Sequence, residues 1–170
     1  MKLIKGKNAN RGFTLTELIV VMGLSIVVLT LMVTMLSVFT AKVDQNRTYH
    51  GFYDEVAFCR DEIQEFLATV DVASAEVTVE SNTANGSILS RNGKIVKLYG
   101  SEFETNVPAA KKTYLNYIDR IVYDVIPVAN GCILECTFVG SYGKDSAKKE
   151  FSQTMLFILE SDGAKFVKQN

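Results

Sequence analysis

The hydrophobic and polar positions of the chain follow three patterns in turn. From Leu18 to Ala41 none of the 24 residues is charged. From Lys42 to Val70 apolar residues recur at three- and four-residue steps, which predicts one stripe of an amphipathic helix. The stripe consists of Phe52, Val56, Cys59, Ile63, Phe66 and Val70. After Val70 the period changes to two and turn residues multiply, which predicts a strand-rich region.

The strand-rich region contains two strong turn signals. Asn92-Gly93 separates two short runs as in a tight hairpin, and Asn130-Gly131 predicts a second turn. The connection from Gly100 to Tyr117, with its helix-favouring Ala109 to Lys112, is predicted to be irregular with one helical turn. The predicted strands are Ala75 to Glu80, Ser87 to Arg91, Lys94 to Tyr99, Ile118 to Ile126, Cys132 to Val139 and Phe151 to Leu159. We therefore predict an α+β fold, with an antiparallel sheet packed on the C-terminal half of one long helix.

The charge-free run is long enough to cross a membrane. At about 1.5 Å per helical residue it reaches roughly 36 Å, against a hydrocarbon core of about 30 Å. The twelve residues at the start of the chain carry four positive charges and no acid, at Lys2, Lys5, Lys7 and Arg11. The positive-inside bias places this end in the cytoplasm. The sequence thus predicts a single-pass protein of the cytoplasmic membrane, with its C-terminal domain outside.

The basic end, the candidate cleavage site and the apolar stretch follow each other in an uncommon order at the start of this chain. A secretory signal peptide has its basic end, apolar stretch and cleavage site in that order. Here Arg11-Gly12-Phe13-Thr14-Leu15-Thr16-Glu17 comes before the apolar stretch. This junction resembles the class III signal of type IV pilins and of the pseudopilins of type II secretion and competence systems.

The resemblance implies a processing step. A membrane-bound prepilin peptidase would cut between Gly12 and Phe13 and methylate the new amine of Phe13. The expected organisation is a removed leader over residues 1–12, a transmembrane and assembly helix over 13–41, and a globular pilin-like domain over 42–170. That last domain includes the amphipathic half of the helix.

Glu17 is the costly residue of the membrane segment. A carboxylate at the edge of an apolar run is penalised by a few kcal/mol unless it finds a partner. The resemblance implies that Glu17 meets the N-terminal amine of Phe13 in a neighbouring subunit, a pair that would penalise misregistered subunits. The alternative is a glutamate that only reaches the membrane interface.

The expected function is that of a non-enzymatic structural subunit without a cofactor or metal. The resemblance implies a minor pilin or pseudopilin of a type IV pilus, a type II secretion system or a competence pseudopilus. Its expected partners are prepilin peptidase, other pilin subunits, and the assembly platform and motor. After assembly it would lie in a cell-surface or periplasmic filament. The alternatives are a displayed binding module for DNA or a surface, and a plain single-pass anchored protein.

Charge and titratable residues add little chemistry. Removing the four leader charges from a net charge of −1 leaves about −5, which argues against a general nucleic-acid surface. The lysines in the segment Gly140 to Glu150 are expected at a solvated hairpin tip, with DNA capture as the weaker alternative. The helix carboxylates lack a convergent histidine, so we expect solvated surface rather than acid–base catalysis. They are Asp54, Glu55, Asp61, Glu62 and Glu65.

The three cysteines are best explained as small buried side chains. Cys132 and Cys136 lie four residues apart on one predicted strand, roughly 13 Å, and cannot bond each other there. Cys59 lies on the helix stripe. A disulfide from Cys59 to Cys132 or Cys136 is the alternative to three buried thiols.

Overall fold

The structure is a computed structural model and describes residues 14–69, 77–84, 86–129, 131–143, 148–160 and 166–169. The described part contains one helix followed by nine strands. These are α1 (Leu15–Thr69), β1 (Val77–Thr83), β2 (Gly86–Arg91), β3 (Lys94–Tyr99), β4 (Glu102–Thr105), β5 (Lys111–Tyr114), β6 (Arg120–Val128), β7 (Gly131–Tyr142), β8 (Lys149–Glu160) and β9 (Phe166–Gln169). The chain divides into two compact units, Met1–Asp44 and Gln45–Asn170.

The strands form two sheets. The larger sheet has the order β5-β4-β3-β2-β1-β9, and the smaller sheet has the order β6-β7-β8. Every neighbouring pair is antiparallel except β1 and β9, which are parallel. The long N-terminal helix packs against these sheets, so the predicted α+β class is confirmed.

The helix stripe lies in the core, as predicted. Phe52, Val56, Cys59, Ile63 and Phe66 are each at most 1% exposed. The sheets supply the facing side chains, which include Val79, Leu89, Val96 and Phe103 from the larger sheet and Tyr123, Leu134, Cys136 and Phe138 from the smaller one. Val70, the last predicted stripe position, lies outside the described residues. The stripe and both sheets therefore share one apolar core, whose burial stabilises the fold.

The first predicted turn is confirmed by its backbone. Asn92 and Gly93 have φ values of 49° and 76°, the positive pair that a two-residue hairpin turn of type I′ requires. This turn fixes the pairing of Arg91 with Lys94. Asn130 of the second predicted turn lies outside the described residues.

The connection from Gly100 to Tyr117 is not irregular with a helical turn, and that prediction was wrong. It contains β4 and β5, which pair with each other. Lys112 lies 2.6 Å from Glu102 and 3.8 Å from Glu104, so opposite charges meet across the two strands. Tertiary pairing overrides the helix propensity of Ala109 to Lys112.

Helix α1 holds the segment before β6 through one carboxylate. The backbone N–H groups of Asn116, Tyr117 and Ile118 all donate to Glu55, at 2.6, 2.9 and 3.1 Å. A Cβ atom added at Gly51, one helical turn earlier, would lie 2.2 Å from the Tyr117 ring. Glu55 was expected to be solvated surface. It instead accepts three amide donors that are not within a regular strand.

Replacing Glu55 should therefore destabilise the fold. We expect Glu55→Ala to lower the free energy of unfolding by about 2 to 3 kcal/mol, because hydrogen bonds to a charged acceptor are strong and the amides lose their partner. Urea unfolding of the detergent-solubilised full chain would measure this. Asp54→Ala, at the exposed neighbouring position, is the matched control. Equal stability of the two variants would contradict the clamping role of Glu55.

A second helix carboxylate also departs from expectation. Glu62 was predicted to be solvated, yet it is 9% exposed. The Nζ atom of Lys111, at the start of β5, lies 2.6 Å from its Oε1 atom and 4.6 Å from the centroid of the Phe58 ring. Because the lysine is half exposed, this pair fixes the position of the edge strand β5 more than it adds to stability.

Candidate functional site: the apolar helix and its capped start

The first part of helix α1 presents an apolar surface on all sides. The large side chains from Leu15 to Phe39 are each between 45% and 79% exposed, and none of the long apolar window is buried. Within the described residues this helix is long and apolar enough to cross a membrane. A helix that is apolar all round and unburied has the surface that lipid requires. By length and composition, this surface suggests a single membrane span.

The hydroxyl groups on this segment are satisfied within the helix. Ser25 donates to the Val21 carbonyl at 2.7 Å, and Thr30 donates to the Ile26 carbonyl at 2.8 Å. Thr34, Ser37 and Thr40 make the same kind of bond to a carbonyl three or four residues back. Each of these hydroxyls therefore has its hydrogen bond made within the helix, which would reduce the penalty for a polar group in lipid.

The helix begins in a capping box formed by Thr14 and Glu17. The Glu17 backbone N–H donates to the Thr14 hydroxyl oxygen at 3.3 Å, while the Glu17 carboxylate accepts the Thr14 backbone N–H at 2.9 Å. The Thr14 hydroxyl also donates to the same carboxylate at 2.9 Å. Two of the helix's unpaired N–H groups gain partners in this way. A negative charge here also interacts favourably with the helix dipole.

The capping box gives Glu17 a partner that the sequence interpretation had missed. The signal was present, because Thr14-Leu15-Thr16-Glu17 has the threonine-to-glutamate spacing of a capping box. Glu17 was considered only as an assembly or interface residue. Gly12 and Phe13, the predicted cleavage and methylation site, lie outside the described residues.

Among the described residues, the other titratable side chains do not converge on one site. His50 is exposed on helix α1. The Glu55 carboxylate accepts backbone N–H groups, and the Glu62 carboxylate is paired with Lys111. Among the described residues no group of three His, Cys, Asp or Glu side chains could hold a metal ion. An open groove of about 620 Å³ lies between helix α1 and β8, and its walls include Leu67, Met155 and Phe157. Its charged lining residue Arg60 is paired with Asp61 at 2.7 Å.

All three cysteine side chains are buried, and none of them forms a disulfide in the described structure. Burial raises the pKa of the Cys59 thiol, and the nearby Glu55 and Glu62 carboxylates raise it further. Burial also raises the pKa of the Cys136 thiol, with a smaller effect from Glu135. A thiol whose pKa is raised is mostly protonated and a poor nucleophile. These side chains act as small apolar core residues in the described fold.

Two basic side chains beside the described part of the β7–β8 hairpin are paired with acids. Lys148 lies 3.6 Å from Asp119, and Arg120 lies 3.2 Å from Glu150. Lys144 lies outside the described residues. Pairing of these basic side chains with acids lowers the potential available to attract DNA.

Comparison with protein-family models, with curated proteins and with solved structures found no match for this chain. The architecture itself is pilin-like, with one long apolar N-terminal helix and an antiparallel sheet.

Proposed function

We propose that this chain is a minor pilin or pseudopilin, a structural subunit that is cut by a prepilin peptidase and assembled into a filament through its N-terminal helix. One observation carries the proposal. The Gly12-Phe13 junction and Glu17 stand directly before the charge-free run from Leu18 to Ala41, whose apolar side chains are exposed, and four basic residues stand on the other side. A basic leader, a cleavable glycine and a membrane helix that remains after cleavage form the arrangement that such a filament subunit needs.

The capping box supports a two-stage role for Glu17. In the membrane-resident monomer its carboxylate is held by Thr14. These bonds reduce the free-energy penalty of the charge near lipid while the subunit waits for assembly. In the filament the same carboxylate would face the amine of Phe13 from a neighbouring subunit, and this ion pair would set the axial register of the helices.

The first test is processing. When the chain is co-expressed with an active prepilin peptidase, we expect a mature protein that begins at methylated Phe13, seen by intact-mass and N-terminal analysis. Gly12→Val should block the cut, because a side chain obstructs close approach of the backbone to the peptidase. Gly6→Val changes another leader glycine and should be cut normally.

Two results would contradict the proposal. A chain that keeps residues 1–12 beside active peptidase would be a plain single-pass anchored protein. Equal cutting of the Gly12→Val and Gly6→Val variants would show that the junction is not read as a class III signal. A binding module displayed on such a filament would share the processing, and DNA-binding and surface-binding assays on the fragment after Ala41 would separate it from a purely structural subunit.

A further inference from the structure

The outer face of the larger sheet carries two exposed tyrosines in one cross-strand row. Tyr99 of β3 pairs with Glu102 of β4, and Glu102 pairs with Tyr114 of β5. These three residues form the tyrosine row. Tyr99 is 58% exposed and Tyr114 is 68% exposed, whereas their strand neighbours Leu98 and Phe103 are buried. Because successive side chains of a strand point to opposite faces, both tyrosines project from the solvent side of the sheet.

The pairing of the strands determines the distance between the two tyrosines. β3 and β5 are separated only by β4. Neighbouring strands lie about 4.8 Å apart, so the side chains of Tyr99 and Tyr114 start about 9.6 Å from each other. A polyproline II helix has three residues per turn with a rise of about 3.1 Å each, so one turn is about 9.3 Å long. Prolines three positions apart in such a helix therefore match the two rings.

Both tyrosine rings have contacts within the sheet that hold them in place. The Nζ atom of Lys97 lies 5.6 Å from the centroid of the Tyr99 ring, which is a cation–π distance. The hydroxyl group of Tyr114 lies 3.5 Å from the Oε2 atom of Glu102. Side chains that are positioned before binding lose less conformational freedom when a ligand packs on them, which favours binding.

The charges around the tyrosine row balance. Lys97 pairs across the strands with Glu104, and Glu104 pairs with Lys112. The Nζ atom of Lys112 lies 2.6 Å from Glu102 and 3.8 Å from Glu104. Two lysines and two glutamates cancel, so this patch does not attract the phosphates of nucleic acids or of anionic lipids. Its lysine and tyrosine donors suit a proline-rich chain, which offers carbonyl oxygens and few N–H groups.

A small polar pocket lies on the β2 side of Tyr99, away from Tyr114. Its volume is about 140 Å³, and its lining residues include Gly86, Tyr99, Asp119 and Arg120. Gly86 has a φ value of 89°, and a Cβ atom at this position would clash with the carbonyl oxygen of Leu98. The backbone here requires glycine, which leaves this side of Tyr99 free of a neighbouring side chain.

The charged residues of this pocket have partners that hold them in place. Arg120 donates two hydrogen bonds to Glu150, at 3.3 and 3.2 Å. The Asp119 carboxylate accepts the Ser141 hydroxyl group and lies 3.6 Å from the Nζ atom of Lys148. An arginine has more N–H donors than one carboxylate uses, so Arg120 can also bind a carbonyl oxygen. The pocket thus supplies a fixed polar end to the tyrosine row.

We infer that the tyrosine row binds a proline-rich segment of a partner protein in the polyproline II conformation. Prolines three positions apart pack on the rings of Tyr99 and Tyr114, and the pocket beside Tyr99 takes the end of the segment. Aromatic surfaces recognise such segments well because the ligand is already extended before it binds. All residues of the site lie in the strand-bearing part of the chain, so the inference does not depend on filament assembly.

Fluorescence anisotropy of the detergent-solubilised full chain, with a fluorescein-labelled oligoproline peptide as the probe, tests the inference. We expect saturable binding, and none to a glycine–serine peptide of equal length, which is a flexible coil without rings. Tyr99→Ser and Tyr114→Ser should each weaken binding at least about tenfold, because aromatic side chains dominate binding energy at such sites. Tyr53→Ser is the matched control, since Tyr53 is 54% exposed on helix α1 and lies outside the row.

A pair of peptides with equal length and composition tests the spacing. One has its prolines at every third position and the other has them at every second position, with alanine elsewhere. The first should bind at least about tenfold more tightly, because only its prolines stand one turn apart on one side of the helix. Limited proteolysis should show an unchanged fold in all three tyrosine variants. If Tyr99→Ser loses its fold, Tyr114→Ser on the edge strand β5 still tests the row.

The inference is wrong if the oligoproline peptide shows no saturable binding. Equal affinities of the Tyr114→Ser and Tyr53→Ser variants would place the binding site outside the tyrosine row. Equal affinities of the two spaced peptides would remove the match between the rings and one helical turn. Binding of a β-1,4-linked oligosaccharide or of single-stranded DNA in place of the oligoproline, lost in the same tyrosine variants, would assign the row to a glycan or to a nucleic acid instead.

Discussion

Phe66→Asp should unfold the sheet-bearing part of the protein and leave the membrane segment in place. Phe66 is 0% exposed and belongs to the core that joins helix α1 to both sheets. Removing a buried phenylalanine typically costs about 3 to 5 kcal/mol, and an unpaired buried carboxylate adds several more. Domain stabilities are usually about 5 to 15 kcal/mol. The variant should therefore lie near or beyond the limit of folding.

Limited proteolysis of the detergent-solubilised full chain would measure this, because cleavage in the strands reports the population of open protein. Tyr53→Asp is the matched control, since Tyr53 is an aromatic residue of the same helix that is 54% exposed. Phe66→Leu, which keeps an apolar side chain, should stay largely resistant. Equal protease resistance of Phe66→Asp and Tyr53→Asp would mean that this helix face does not hold the sheets.

Sequence patterns correctly predicted the helices and strands that are determined by residues close together in the chain. The stripe from Phe52 to Phe66 was visible as a helical period, and its burial follows from that period. Strand β3, Lys94–Tyr99, matches its predicted bounds because the Asn92-Gly93 turn fixes where the hairpin begins. In both cases the deciding interaction is within a few residues of the signal.

The elements that sequence reasoning missed depend on distant pairing. β5 contains two lysines and follows two alanines, so its residues favour helix until β4 supplies the carboxylates that pair with Lys112. β9 joins the larger sheet by parallel pairing with β1, about ninety residues earlier in the chain. The division into two sheets and the tyrosine row of the larger sheet exist only once the register is known.

In the candidate functional site, too, the features with a local cause could be predicted and the contact with a distant partner could not. The long apolar helix and the position of Glu17 at its start could be predicted, because charge and hydropathy along the chain determine both. The Thr14 cap could also have been predicted from the threonine-to-glutamate spacing. The amine that Glu17 would meet in a filament belongs to another subunit, so neither the sequence nor the fold of one chain contains that contact.

The second large effect is expected at Glu17, where two substitutions separate capping from assembly. Glu17→Gln removes the charge but keeps an acceptor that can complete a capping box. Thr14→Ala keeps the charge and loses the Thr14 hydroxyl, which donates to Glu17 and accepts its backbone N–H. Loss of an N-cap costs about 0.5 to 2 kcal/mol. Loss of one partner from a buried ion pair costs about 3 to 5 kcal/mol.

If Glu17 sets subunit register, entry into filaments should depend on the negative charge of Glu17 and not on the helix cap formed with Thr14. Glu17→Gln should be cut after Gly12, accumulate in the membrane and fall at least about a hundredfold in sheared filaments, the factor that about 3 kcal/mol represents. Thr14→Ala should enter filaments nearly as the unmodified chain does. Immunoblots of sheared and membrane fractions, after mass analysis of the N-terminus, would measure both. The opposite order, with Thr14→Ala excluded and Glu17→Gln incorporated, would reduce Glu17 to a helix cap, because only the hydrogen bonds of the capping box would then matter.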